Sequence, residues 1–113
     1  MQIAEVLEKL PVTVMVSNAN LALPVTGGYA SDLLSNVMGN ARQGNIWITM
    51  QGHQNIVAVA SLTGLSAVIV AGGAKLDNET IRKADVEGVT LLTTELSSFE
   101  ITGMLYSLGI KGV

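Results

Sequence analysis

Three short segments hold most of the residues that could do chemistry on a ligand. They are Thr49-Met50-Gln51-Gly52-His53-Gln54-Asn55, Ala71-Gly72-Gly73 and Thr93-Thr94. His53, the only histidine, could donate a proton or contact an anion. Gly52, Gly72 and Gly73 would let a ligand approach the main chain closely. A helix starting near His53 would offer unpaired N–H groups and the positive end of its dipole. With Thr49, Gln51, Gln54, Asn55, Thr93 and Thr94 beside them, these groups form a candidate edge for a nucleotide or an anionic metabolite. The same residues also read as helix caps and tight turns, which every α/β protein needs. His53 reads equally as a helix-start residue that only caps and packs.

Other chemistries lack their parts. The chain has no cysteine, which removes disulfides, zinc–thiolate sites and thiol nucleophiles and fits a reducing, cytoplasmic setting. One histidine and dispersed carboxylates do not make a metal site, and no cofactor is implied. Gly72-Gly73-Ala74-Lys75 superficially resembles a phosphate loop, but the G-x-x-x-x-G-K-[ST] spacing fails and Leu76 stands where the hydroxyl should be. Ser97 and Ser98 are better explained by helix capping than as nucleophiles. No catalytic residue is therefore expected. The basic residues are scattered, with only Arg82-Lys83 adjacent, which disfavours nucleic acid. Met1 to Leu10 is amphipathic and acidic, so no targeting peptide is expected. The apolar runs fall far short of the ~20 residues that span a bilayer.

The elements that must position the three segments follow from two alternating apolar periods. Ile3, Val6, Leu7 and Leu10 recur at helical spacing, and Pro11 ends that helix. Val12 to Val16 and Val25 to Ala30 are strand-like, with turn residues Ser17 to Asn20 between them. Leu33, Leu34, Val37 and Met38 suggest a short helix behind Ser31 or Asp32. Ile46 to Met50 is a third strand, and Trp47 on it belongs to the core. His53 to Thr63 is apolar on most sides, a buried helix that Gly64 closes. Ala67 to Ala71 is a continuous apolar strand, as expected where both faces are covered. Asp77 can cap the next helix, which Gly88 ends, and Val89 to Leu92 is a fifth strand. Ser97 and Glu100 form a capping box for a last helix carrying Ile101, Met104, Leu105 and Leu108 on one face. Tyr29 and Tyr106 fit either the core or an interface, and the methionines read as packing.

From about residue 45 onward the order is β-α-β-α-β-α. The expected fold is a single α/β domain over residues 1–113. It is built on a small, mostly parallel sheet of about five strands with helices on both faces. In such sheets ligands sit beyond the carboxyl ends of the strands, where the three segments fall.

Charged residues are only 13% of the chain while apolar ones are 49%, against about 25% charged in ordinary domains. A domain this small has much surface and little charge to coat it. Either the surface is neutral, rich in Gly, Ala, Ser, Thr and Asn, or another subunit covers part of it. A homodimer is expected, and a partner enzyme is a further candidate.

Several segments in order resemble stand-alone DRTGG-domain proteins. They are Thr26-Gly27-Gly28-Tyr29-Ala30-Ser31-Asp32, Gly44-Asn45-Ile46-Trp47-Ile48-Thr49 and Gly52-His53-Gln54-Asn55-Ile56. Thr26-Gly27-Gly28 matches the last three letters of the name, and Pro24-Val25 stands where the charged pair would be. Val89 to Ser98 is similar to the end of the N-terminal domain of HPr kinase/phosphorylase. The run from Ser31 to His53 also resembles, more distantly, the first domain of Mur ligases. The resemblance covers about residues 3 to 110 and implies a fold like the HPr kinase N-terminal domain, without the kinase domain that carries ATP chemistry. It further implies a regulatory, dimer-forming role. In the Mur ligases the corresponding domain contacts a uridine nucleotide.

Overall fold

The computed structural model describes all residues, 1–113. In chain order the elements are α1 (Ile3–Lys9), β1 (Thr13–Val14), β2 (Gly27–Ala30), α2 (Leu34–Asn40), β3 (Asn45–Thr49), α3 (Asn55–Thr63), β4 (Ala67–Val70), α4 (Asn78–Glu87), β5 (Leu91–Thr93) and α5 (Ser98–Ser107). The five strands form one sheet in the order β1-β5-β4-β3-β2. β2 to β5 run parallel and β1 joins β5 antiparallel. The expected fold class is therefore the observed one. The continuously apolar strand β4 lies in the interior of the sheet, where both faces are covered.

Side chains alternate across the pleat and divide the core into two layers. Trp47, Val68, Val70 and Leu91 face α2, α3 and α4 and pack with Val37, Ile56, Val57, Ala60 and Ala84. Ile46, Ile48, Ile69 and Leu92 face the other way, onto Ile3 and Val6 of α1 and Ile101 and Leu105 of α5. Trp47 is fully buried, and its indole N–H donates to the Ser31 carbonyl at 2.7 Å.

The glycine stops lie where the sequence puts them. Gly64 and Gly88 adopt φ of 71° and 70° and end α3 and α4 in left-handed caps. Other boundaries move. β1 is only Thr13–Val14, shorter than the Val12 to Val16 expectation. Met15 still donates its N–H to the Leu91 carbonyl, and beyond it one Asp85 carboxylate oxygen accepts the N–H groups of Ser17 and Asn18 and the Ser17 hydroxyl. α2 begins at Leu34, with the Ser31 hydroxyl accepting the Leu33 N–H two residues upstream. Asp77 stands at the N-cap of α4 but its side chain makes no capping bond. At α5 only one arm of the expected box forms, the Glu100 N–H donating to Ser97 Oγ. Met104 is exposed, unlike Ile101 and Leu105 on the same helix. Met38 and Met50 are likewise exposed, so not every methionine is packing.

The Thr26-Gly27-Gly28 motif builds the open edge of the sheet. Thr26 Oγ1 donates to the Gln43 carbonyl and accepts from Asn45 Nδ2. The Gly28 N–H donates to the Lys111 carbonyl at 2.8 Å. A Cβ on Gly27 would stand 2.8 Å from that same oxygen. Gly27 thus lets the segment after α5 lie directly against β2.

Candidate functional site

Because β2 to β5 are parallel and adjacent, their carboxyl ends share one edge, and the three segments meet there. Asp32, at the end of β2, organises this edge. Its Oδ1 accepts the Thr49 hydroxyl at 2.8 Å and the Met50 N–H at 2.7 Å. Gln51 returns its side-chain N–H to the Asp32 carbonyl, and its main-chain N–H donates to Thr49 Oγ1. Thr49 is buried, so its hydroxyl serves this internal network.

Gly52 is a packing residue. A Cβ there would overlap the Lys75 carbonyl oxygen. The Gly52 carbonyl accepts the Thr80 hydroxyl at 2.8 Å and the Asp77 N–H at 3.3 Å, which ties the β3 loop to the start of α4. His53 Nδ1 accepts the Asn55 N–H at 3.2 Å. Its imidazole is exposed, as are the side chains of Gln51, Gln54 and Asn55. α3 starts at Asn55, two residues later than the sequence suggests.

Gly72 and Gly73 both take positive φ, 73° and 64°. Their N–H groups are already engaged, donating to the carbonyls of Leu96 and Thr94. Glu95 lies over Gly73, where a Cβ would come within 2.5 Å of Glu95 Oε2. Thr94 is buried; its hydroxyl donates to the Pro11 carbonyl and accepts the Leu96 N–H. Thr93 is half-buried and pairs with Thr13 of β1. A pocket of about 370 Å³ opens beside Gly73, with both Lys75 and Glu95 in its wall, so its charge is mixed. No group of three or more His, Cys, Asp or Glu side chains could hold a metal ion.

A second region was not singled out from the sequence. The largest groove, about 560 Å³, is formed by α5 and the end of β2 and is lined by Ala30, Ser98, Phe99, Thr102, Gly103 and Tyr106. Phe99 is 85% exposed and Tyr106 57% exposed. Lys111 Nζ lies 3.7 Å from the centre of the Tyr106 ring, a cation–π contact that holds the ring in place. A second groove, about 550 Å³, flanks α5 on the α1 side and shares Phe99 and Gly103 with the first. Phe99, Gly103 and Tyr106 follow i, i+4, i+7 spacing, a stripe opposite the buried Ile101 and Leu105. That second stripe was the available signal in the sequence.

No helix is long and apolar enough to cross a membrane. No curated protein matches the chain. Among solved structures it is similar to the CBS and DRTGG domains of the regulatory region of Clostridium perfringens pyrophosphatase, complexed with an activator, diadenosine tetraphosphate. The two share 22% identity and a TM-score of 0.73, over 88% of this chain and 44% of that one, which is a likeness of fold. The chain therefore spans less than half of that regulatory region. Residues 5–108 match the family model of the DRTGG domain, and with the Thr26-Gly27-Gly28 edge described above, the chain belongs to the DRTGG domain family.

Proposed function

We propose that this chain is a cytoplasmic regulatory or assembly domain that works as a homodimer and performs no catalysis of its own. The observation that carries this reading is the outer face of α5. Phe99 and Tyr106 stand exposed beside a contiguous apolar groove, in a chain with only 13% charged residues. Single exposed apolar residues are ordinary, but a contiguous apolar groove on a small soluble domain marks an interaction site. The strand-end edge supports the non-catalytic part. Asp32, Thr49 and Thr94 are tied to one another or to the main chain in bonds that hold loops together. As a regulator it would act on a partner enzyme, in the manner of a kinase N-terminal domain separated from its catalytic domain, as the likeness of Val89 to Ser98 to the end of the HPr kinase N-terminal domain suggests. Sedimentation of the purified chain over a concentration series tests the reading. A monomer–dimer equilibrium is expected, and a monomer at every concentration would overturn it.

A second reading is favoured by the pyrophosphatase regulatory region having been found with a dinucleotide activator. Here the chain senses a nucleotide or anionic metabolite at the strand-end edge, through Gln51, His53, Gln54 and Asn55, whose side chains are exposed. Thr49, Gly52, Gly72, Gly73, Thr93 and Thr94 then serve as its scaffold. A thermal-shift panel of mononucleotides, dinucleoside polyphosphates and acyl phosphates is the test. A ligand at one hundred times its dissociation constant stabilises the fold by about 2.7 kcal/mol, and a flat panel would count against the sensor.

A further inference from the structure

We infer that the pocket between the loops after β4 and β5 binds a small zwitterion, a free α-amino acid with an apolar side chain. Lys75 and the start of α4 take its carboxylate, and Glu95 takes its ammonium group. This rests on the sensor reading above. It keeps the carboxyl edge of the sheet, moves the contacts to another part of that edge and changes the class of ligand.

The first observation is charge. Lys75 and Glu95 both stand in the wall of this pocket. The ion pair of the chain is Arg82–Glu79, so Lys75 and Glu95 each keep an uncompensated charge. A purely anionic ligand would be drawn to Lys75 and repelled by Glu95, and a purely cationic one the reverse. A ligand that carries both charges is complementary to both, and the repulsive half of each pairing rejects its singly charged rivals. Phosphates fall among the rejected.

The second observation is that Glu95 is seated. Gly73 takes a φ of 64°, and a Cβ on it would stand 2.5 Å from Glu95 Oε2. The carboxylate therefore lies back against the main chain at the pocket, and only a glycine leaves it room. The frame around it is tied. The Gly73 N–H donates to the Thr94 carbonyl at 3.0 Å, the Gly72 N–H to the Leu96 carbonyl at 2.7 Å and the Thr94 hydroxyl to the Pro11 carbonyl at 2.9 Å. The polar groups that bond inward fix the two loops, so the pocket is formed before a ligand enters it, which lowers the cost of binding.

The third observation is the floor. Met15, Ala74, Leu76 and Ile81 line the same pocket and pack, half-buried, on the core layer beneath α3 and α4. An apolar floor continuous with the core, with one charge of each sign above it, suits a charged head that carries an apolar side chain. The volume of about 370 Å³ is at the small end of the range for ligand pockets, about 300–1,000 Å³, as a single amino acid requires. Asn78 opens the ten-residue α4 in this wall, and Asp77 before it makes no capping bond. The first-turn N–H groups are thus open to an anion, and with Lys75 they favour the carboxylate.

The test is a thermal-shift screen of the full chain against the standard free amino acids, with AMP and acetyl phosphate beside them, followed by titration calorimetry. An apolar amino acid should bind saturably and the two phosphates should not. The carboxylic acid lacking its amino group and the amine lacking its carboxyl group should each bind at least about tenfold more weakly. Glu95→Gln and Lys75→Met, both at exposed side chains and checked for fold by circular dichroism, should each weaken the amino acid at least about tenfold. Glu95→Gln should also narrow the gap between the amino acid and the acid lacking its amino group, a change that mere loosening of the loop would not produce. His53→Ala should leave the affinity unchanged. A shift with AMP or acetyl phosphate and none with any amino acid would overturn the zwitterion site and leave the sensor reading standing. An amino acid that binds but is indifferent to Glu95→Gln and Lys75→Met, or is lost with His53→Ala, would overturn this pocket as the site. A panel flat for every probe would overturn the inference and the sensor reading together.

Discussion

The carboxyl edge of the sheet and the outer face of α5 differ in what their side chains have left to offer. The edge is rich in polar groups, yet Asp32, Thr49, Thr94 and the N–H groups of Gly72 and Gly73 are all bonded within the chain. One stripe of α5 carries apolar surface that nothing in the chain covers, with Phe99 and Tyr106 both exposed. Residue type names the chemistry a side chain can do. Whether it is free to do it depends on its partners, and a buried polar group almost always has one. Glycine makes the same point. Gly52 is required by its own chain, because a Cβ would overlap the Lys75 carbonyl, while Gly103 is not.

One substitution made in both regions is the sharpest way to break this contrast. Gly52→Ala should destabilise the fold most, by about 3 kcal/mol, since a methyl forced against main chain displaces the loop. The urea midpoint reads it, and an unchanged midpoint would show that the edge is not packed as described. Asp32→Ala should cost about 2 kcal/mol, because the buried Thr49 hydroxyl and the Met50 N–H both lose a charged acceptor. Asp32→Asn, which keeps an acceptor oxygen, should recover about half of that in the same measurement. Gly103→Ala should act in the opposite direction on stability. It should raise stability by about 0.5–1 kcal/mol in the same measurement, since a Cβ there meets no atom within 4 Å. A loss of stability would show that Gly103, like Gly52, is required by its own chain. Smallest is His53→Ala, which loses one exposed capping bond and should cost about 0.5 kcal/mol. A loss of several kcal/mol in thermal unfolding would give His53 a structural part that its exposure does not suggest.

Much of the architecture was legible from local chemistry. The apolar runs of β3 and β4, the left-handed glycines Gly64 and Gly88, and the Ser97 cap each depend on residues within a few positions of one another. Legibility failed where distant residues meet. Val12 to Val16 reads as a strand, but β1 is only Thr13–Val14, and the chain beyond it is held through Ser17 and Asn18 by Asp85, far along the sequence. Asp77 reads as a cap, but its side chain makes no capping bond. Asp32 was read only as the approach to a helix, because nothing local says that Thr49 and Met50 will lie beside it. The Thr26-Gly27-Gly28 motif, visible as letters, acquires a reason only when the Lys111 carbonyl is found against it.

By itself the sequence determined that a mostly parallel sheet would form, that its strand ends would bring residues 49–55, 72–73 and 93–94 to one edge, and that charge would be scarce. These follow from periodicity and composition, which act locally or in sum. Only the tertiary structure decided which polar groups at that edge are engaged, which glycines are demanded by neighbouring atoms, and which stripe of α5 is left uncovered. A helix presents all its sides in sequence, and only packing against β2, β3 and α1 settles that Ile101 and Leu105 turn inward while Phe99, Gly103 and Tyr106 face out.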